Sequence, residues 1–253
     1  MNLNRNLAVR IDGISVAEGC RVRLQGEITL SLYPDLLTLT VWNLTDEGYH
    51  QLRRGGSISI SCGPSLLASG IIRDVARETL PDGVRTLIGF SLGLDLWESA
   101  VSLTVPAGTA ASQTVHLLLE ASGTPWKLLS LPGPDPVFPR AQSHFGRTPD
   151  RIAAVLSAAK ARACLTPSGL IVVPEAPESP EAFLSESDLT DAPVYTADCA
   201  VLSTKMAGWP IGRRLQLNDQ GKTTDGIITR QRFDADTGDG PWQTQIIAEV
   251  LHG

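Results

Sequence analysis

A candidate serine nucleophile lies in the run Gly89-Phe90-Ser91-Leu92-Gly93. This G-x-S-x-G pattern marks the strained strand-to-helix turn that exposes the catalytic serine of α/β hydrolases. A strand precedes Ser91, and residues 94–100 can form a short helix. However, that turn belongs to a parallel α/β sheet, and nothing upstream alternates strands with helices. The base would be His116, which lies between apolar helix residues, or His144, which we place in a loop. We therefore predict that Gly89 and Gly93 only give the backbone freedom at the end of a strand, and we keep a serine hydrolase as an alternative.

A second candidate is Gly221-Lys222-Thr223, which is similar to the end of a phosphate-binding loop. Such a loop needs an earlier glycine in G-x-x-x-x-G-K-[ST], whose backbone cradles the phosphates. Gln216 occupies that position, and no apolar helix follows Thr224. We therefore predict a surface turn.

The acidic loop near the C-terminus suggests a calcium site, with Asp234, Asp236, Asp239 and Gly240 as its members. A calcium loop also needs a bidentate glutamate at its twelfth position. Here the spacing is off by one, and that position falls near Gln245. The pattern favours a solvated hairpin loop.

Arginines recur in the N-terminal third and could form a basic patch; they are Arg10, Arg21, Arg23, Arg53 and Arg54. Exposed faces of strands commonly carry such residues. A charged functional surface is therefore the less favoured interpretation.

The aromatic and sulfur-containing residues also admit a structural interpretation. The five tryptophans are Trp42, Trp97, Trp126, Trp209 and Trp242. We expect them to pack in cores or between domains, because a sugar-binding platform needs several coplanar rings. The four cysteines are Cys20, Cys62, Cys164 and Cys199. They lack the paired spacing of a zinc site, so we predict reduced, structural thiols. We thus expect no catalytic, cofactor-binding or metal-binding residue and no cofactor.

Length and composition describe a globular protein. The chain has 253 residues, 42% of them hydrophobic, and a net charge of −6, which argues against a general nucleic-acid binder. No apolar run approaches the ~20 residues of a membrane helix. The first six residues lack the apolar stretch of a signal peptide. We therefore expect a protein that stays in the cytoplasm or in a particle assembled there.

The N-terminal third predicts short strands separated by turns. Alternation is clearest in residues 21–32 and 36–45, where Leu37, Leu39 and Val41 share one face. Thr45 is the predicted N-cap of a short helical turn, and Asn43 is expected to end its strand by bonding local backbone. Such regular strands are typical of a β-barrel or sandwich.

The middle of the chain changes to helical periodicity. Residues 112–123 predict a helix capped by Ser112, and a second helix begins at Thr148 as N-cap with Pro149 in its first turn. A proline-dense connection covers residues 131–139, and a Pro/Glu linker covers residues 174–180. Beyond Pro193 the pattern is that of strands again.

This order of features resembles the tail hub, or baseplate hub, proteins of tailed bacteriophages and related contractile injection systems. The N-terminal resemblance is carried by Trp42-Asn43-Leu44, by the Leu52–Gly63 step with its alternating strand, and by Ser69-Gly70-Ile71-Ile72-Arg73-Asp74-Val75. It continues through the helix and strand of residues 148–173. It ends in Thr224-Asp225-Gly226-Ile227-Ile228-Thr229-Arg230 and in Asp239-Gly240-Pro241-Trp242-Gln243-Thr244.

The resemblance implies a mainly β, β-rich α+β fold in which two β-barrel-like domains flank a small α/β insert. We assign the barrels to residues 1–108 and 181–253 and the insert to residues 109–180. It further implies a structural protein, not an enzyme, whose homotrimer forms a pseudo-sixfold ring joining the tail tube to the tip or spike. Its expected partners are itself, a tube or distal tail protein, a tip or spike protein and possibly a tape-measure protein. Nucleic acid would only pass through a lumen, and the protein would reside in the virion tail after assembly in the host cytoplasm.

Two other function classes stay open at this stage. One is a β-rich module that binds carbohydrate or peptide through exposed tryptophans. The other is the hydrolase that would use Ser91.

Overall fold

The computed structural model describes residues 5–130, 135–166, 169–174, 182–209, 211–219 and 221–251. The fold is mainly β, as expected. The first part contains β1 (Ala8–Ile11), β2 (Ile14–Ser15), β3 (Val22–Thr29), β4 (Leu36–Trp42), α1 (Asp46–Gln51), β5 (Ser57–Cys62), β6 (Ser65–Leu80) and β7 (Gly83–Ser91). The middle contains α2 (Leu94–Glu98), β8 (Ala100–Val105), α3 (Ala111–Ser122), β9 (Leu128–Ser130), β10 (Gln142–Arg147), α4 (Thr148–Ala158), β11 (Ala161–Thr166) and β12 (Gly169–Pro174). The last part contains β13 (Ala182–Ser185), a 3₁₀ turn (Glu186–Asp188), β14 (Val194–Tyr195), β15 (Cys199–Lys205), β16 (Arg214–Asp219), β17 (Lys222–Asp236) and β18 (Trp242–Val250).

The chain forms two compact units. The first comprises Met1–Thr29, Asp35–Leu92 and Glu181–Gly253, and the second comprises Leu30–Pro34 and Gly93–Pro180. Strand β8, which we placed in the N-terminal domain, pairs with β10 inside the second unit. The division into domains at residues 108 and 180 stays a prediction.

Strand β17 connects the N-terminal and C-terminal β segments within the first unit. Its residues 226–235 pair with β18 along one edge. Along the opposite edge, residues 222–227 pair with β16 and residues 230–236 pair with β3. A break in register between Ile228 and Arg230 separates these two pairings. Two segments far apart in sequence therefore belong to one sheet, whose main path is β14-β15-β18-β17-β3-β4-β7-β6-β5-β1-β2. Strand β16 branches from β17, and β13 pairs in parallel with β16.

The core of the N-terminal β segment follows the predicted alternation. Leu37, Leu39 and Val41 are buried, and they pack with the inward side chains of the neighbouring strands. Phe233 and Ala235 of β17 belong to the same cluster. A C-terminal strand thus completes a core that begins near the N-terminus, which explains why the two β segments form one unit.

Asn43 ends strand β4, but it does not bond local backbone as we predicted. It has a left-handed φ of 56°. Its side-chain oxygen accepts from the N–H of Val84 at 3.1 Å, and its own N–H donates to the carbonyl of Val84 at 2.7 Å. The prediction was wrong because the hairpin of β6 and β7 brings a distant backbone to this turn.

The helix caps were predicted with mixed success. Thr45 caps α1 by accepting from the N–H of Gly48, as expected. Helix α3 begins at Ala111, and Asp135 accepts from both the N–H and the hydroxyl of Ser112 at 2.9 and 2.5 Å, so Ser112 is not the cap. Helix α4 has Arg147 as its N-cap residue instead of Thr148, whose Oγ1 accepts from the hydroxyl of Ser99. Partners from elsewhere in the chain replace the expected local bonds.

Other middle features follow the sequence more closely. Ile152, Val155, Leu156 and Ala159 form the predicted buried stripe of α4. Residues 131–134 of the proline-dense connection and residues 175–180 of the linker lie outside the described residues. In the part of the chain that is described, no helix combines the length and the apolarity needed to cross a membrane.

Candidate functional site: charged seam and free strand edges

Ser91 lies in a setting unlike that of a nucleophile elbow. It is the last residue of β7, which pairs antiparallel with both β4 and β6. Its side chain is fully buried, and its hydroxyl has no partner among the described residues. His116 and His144 belong to the other unit, with His116 exposed on α3 and His144 buried on β10, where we had predicted a loop. The arrangement provides no exposed hydroxyl for attack on a substrate.

The candidate phosphate loop is a surface turn, as predicted. Asp219 pairs with Lys222 across the two-residue connection between β16 and β17. Gly221 has a left-handed φ of 78°, the conformation that tight hairpins require. Strand β17 follows directly, so no helix N-terminus is available for a phosphate.

Asp234 and Asp236, which we had predicted in a solvated loop, belong to strand β17 and meet Arg23 of β3 and Arg21, the residue before β3. Arg21 donates from Nε and Nη2 to the two carboxylate oxygens of Asp236 at 3.0 and 2.7 Å. Asp236 is only 2% exposed, and it also accepts from the N–H of Gly238 at 2.8 Å. These bonds, that of Arg21 foremost, hold the pKa of Asp236 below its ordinary value although burial acts in the opposite direction. Both oxygens of this carboxylate therefore accept hydrogen bonds from the arginine, which argues against a role of Asp236 as a calcium ligand.

The same pattern continues along strands β3 and β17. Arg23 donates to both carboxylate oxygens of Asp234, at 3.0 and 3.2 Å. Farther along, the acidic residue is on β3 and the basic residues are on β17: Glu27 pairs with Arg232 at 2.9 Å and with Arg230 at 3.5 Å. We call this row of ion pairs the charged seam. Bidentate arginine–carboxylate geometry is specific, so the seam discriminates against other registers of these two strands.

Two further groups stabilise the end of the seam at Asp236. Arg5 donates to the carbonyl oxygens of Gly238 and Gly240, at 2.9 and 2.8 Å. The guanidinium of Arg21 lies 4.7 Å from the centre of the Trp42 ring, within the range of a cation–π contact. The N-terminal residues therefore hold the loop that precedes β18.

The sequence analysis singled out four members of the seam, but neither Glu27, Arg230 and Arg232 nor the seam itself. We had assigned Arg21 and Arg23 to a basic patch, and Asp234 and Asp236 to a solvated loop. A detectable signal was the i, i+2 spacing of like charges on both strands, which places each pair on one face. Which strands pair was not readable from that spacing.

The tryptophans take individual packing and bonding roles. Trp97 stacks edge-on with Tyr33 at 4.9 Å, and Trp126 donates to Asp95 at 2.9 Å. Trp209 donates to the hydroxyl of Thr204 at 3.0 Å, and Trp242 packs against the core cluster. Each of these rings is half-buried, as packing residues are.

The cysteines are reduced thiols, as predicted. Burial raises the pKa of Cys20 and of Cys62, which keeps both thiols protonated. Within the described ranges, no three His, Cys, Asp or Glu side chains group in a way that could hold a metal ion.

Strand edges remain open at both ends of the main strand path in the sheet of the first unit, and a third lies at β13, which pairs only with β16 among the described residues. Strand β2 pairs only with β1, and β14 pairs only with β15, as far as the described residues show. Large apolar side chains on these strands are exposed: Ile14 by 54%, Val194 by 60% and Tyr195 by 42%. Open edges with exposed apolar residues are suited to association with another chain.

The fold is similar to that of several solved structures. A tail protein from Neisseria meningitidis aligns with a TM-score of 0.72 and 13% identity, covering 96% of this chain and 95% of that one. The 43 kDa tail protein of prophage MuSo2 from Shewanella oneidensis aligns with a TM-score of 0.67 and 12% identity, covering 96% and 97%. An E. coli component of the type VI secretion system, itself structurally similar to phage T4 tail proteins, aligns with a TM-score of 0.65 and 11% identity, covering 96% and 77%.

Similarity in sequence is much weaker than similarity in fold. The sequence matches no protein-family model, and no curated protein matches it significantly. The structural alignments nevertheless extend over nearly the whole chain and nearly the whole of two tail proteins. The chain therefore has the fold of these phage tail proteins.

Proposed function

We propose that the protein is a structural tail or baseplate hub of a tailed phage or phage-like particle. The observation that carries the proposal is the full-length fold likeness to the tail proteins of Neisseria meningitidis and of prophage MuSo2. In this proposal three copies form a pseudo-sixfold ring, to which each chain contributes its two β segments. The ring joins the tail tube to the tip or spike.

The proposed partners follow from this position in the particle. They are two further copies of the chain, a tube or distal tail protein, and a tip or spike protein, with the tape-measure protein as an additional neighbour. Nucleic acid passes only through the lumen of the ring. The protein resides in the virion tail and is assembled in the host cytoplasm.

The internal construction of the first unit suits this role. The charged seam links the N-terminal and C-terminal β segments along β3 and β17, so the two segments are held together within one unit. The open edges at β2 and β14 supply surfaces for neighbours. A protein with this function needs no catalytic residue, and we propose that it is not an enzyme.

The alternatives have less support. A hydrolase would need an accessible Ser91, whereas that hydroxyl is fully buried. A tryptophan platform for sugars would need coplanar exposed rings, whereas Trp97, Trp126 and Trp209 each have separate bonding or stacking partners.

Assembly in solution tests the proposal. We expect light scattering at micromolar concentration to give a mass three times that of one chain, and negative-stain images to show threefold rings with a central opening. Pull-down with purified tube and tip proteins encoded beside the gene should retain both. A strict monomer that binds neither protein contradicts the proposal.

A further inference from the structure

The two open ends of the sheet in the first unit carry charges of opposite sign. We define the arginine edge as strand β2 together with Arg10, Arg53 and Arg54. We define the acidic edge as strand β14 together with Glu186, Asp188, Asp191 and Asp198. All seven of these charged residues are exposed.

The arginine edge is built by the β1–β2 hairpin and the loop before β5. Arg53 lies against the hairpin turn, because it donates to the carboxylate of Asp12 at 3.1 Å and remains 76% exposed. Arg10 projects from the outward face of β1, between the buried Val9 and Ile11. No acidic residue occurs between Gly48 and Arg73, so positive charge dominates this loop.

The acidic edge is held beside β15 by backbone hydrogen bonds. The N–H of Thr190 donates to the carbonyl of Ser203 at 2.8 Å, which fixes Asp191 next to the start of β14. Asp198 lies in the turn that links β14 to β15, where Tyr195 pairs with Ala200. From Ala182 to Thr204 the chain has four acidic residues and no basic one. Two lysines lie near this edge, Lys205 beside Asp188 and Lys222 at 5.9 Å from the centre of the Tyr195 ring. The four carboxylates outnumber them, so the edge has a net negative charge.

We propose that the arginine edge of one copy binds the acidic edge of the next copy. The contact is head-to-tail: Ile14 packs beside Val194, and Arg10 and Arg54 face Asp191 and Asp198. Both residues of each terminal strand have one edge unpaired among the described residues, so short β-pairing can accompany the ion pairs. A head-to-tail contact closes into a ring when its rotation is a simple fraction of a turn.

This inference rests on the proposed trimer and adds which surfaces form it. Opposite charges on unlike surfaces favour head-to-tail association and disfavour the meeting of two identical edges. The contact should weaken as salt rises, because exposed charges are screened within ~10 Å at 0.1 M ionic strength.

Charge reversal on the full chain tests the pairing. We expect Arg10→Glu with Arg54→Glu to reduce association by about tenfold or more, and Asp191→Arg with Asp198→Arg to do the same. Arg53 is left intact because it has a partner in its own chain. The chain that carries all four substitutions should again form the trimer, because its edges are opposite in charge once more. Sedimentation velocity across a range of concentrations measures each association.

Two control variants and one cross-link separate the possible outcomes. Glu120→Arg and Lys127→Glu reverse exposed charges in the other unit and should leave association unchanged. In a chain whose Cys20, Cys62 and Cys199 are replaced with Ser, Ile14→Cys with Val194→Cys should give covalent oligomers on oxidation, and neither single variant should. The edge assignment is overturned if the wild type forms a trimer and either both doubly substituted chains associate as strongly as the wild type or the fourfold variant fails to form the trimer. The proposed function is then left intact. A wild-type monomer overturns both.

Discussion

Arg21 and Asp236 lie 215 positions apart in sequence and form a bidentate ion pair with bonds of 3.0 and 2.7 Å. The aspartate is almost fully buried, whereas the arginine side chain is 47% exposed and covers Trp42. The pair closes one end of the charged seam, where the N-terminal and C-terminal β segments meet.

Replacing Asp236 with Asn should destabilise the protein by about 2 kcal/mol, because it removes the charge from hydrogen bonds that charged groups strengthen. Urea unfolding monitored by tryptophan fluorescence measures the loss. Asp239→Asn is the matched control, because Asp239 lies three residues after Asp236 and is exposed. Equal stability of the Asp236 and Asp239 variants would show that the ion pair contributes nothing.

Stability should fall as pH decreases below about 6.5, and His144 should cause part of this fall. The pKa of His144 is lowered in the folded protein, chiefly by burial and to a smaller extent by the charge of Arg151. The unfolded state therefore takes up a proton first, so stability that is present above the unfolded pKa is lost as pH falls towards the folded pKa. His144→Leu should flatten the profile between pH 7 and 5 in thermal unfolding, and His116→Leu on the exposed face of α3 should not. An unchanged slope in the His144 variant would refute this assignment.

Gly70→Ala should destabilise the first unit by about 2 kcal/mol or more, because the added methyl group overpacks a close approach of two strands. A Cβ at Gly70 would lie 2.5 Å from the carbonyl oxygen of Ser91. Gly89→Ala is the control, since the nearest atom to its Cβ is 3.9 Å away and both glycines lie in paired strands. Chemical denaturation should rank the two variants clearly. Similar losses of stability in both variants would mean that the effect is general to glycines in strands and not specific to the close approach at Gly70.

Ser91→Ala should leave stability unchanged or raise it by up to about 1 kcal/mol, because the variant removes a buried hydroxyl that has no partner in the described chain. A fluorophosphonate probe should label neither the wild type nor this variant. Stoichiometric labelling that disappears in Ser91→Ala would revive the hydrolase interpretation.

Local patterns determined much of the secondary structure. Alternation located β4 and its buried Leu37, Leu39 and Val41, and the sequence placed Thr45 correctly as the cap of α1. These features are readable because side-chain period and turn chemistry depend on neighbouring residues. The resemblance to tail hub proteins added the fold expectation that the structural neighbours support.

Only the tertiary structure decided which distant groups meet. Arginines and aspartates that seemed to belong to separate surface features became one seam, because β17 pairs with β3. Asn43 accepts a hydrogen bond from Val84, and Asp135 accepts one from the first turn of α3, because the path of the chain brings those groups within hydrogen-bonding distance. Sequence alone determined that these residues are charged or polar and where along strands they lie. The partner of each depends on long-range strand order, which no local pattern encodes.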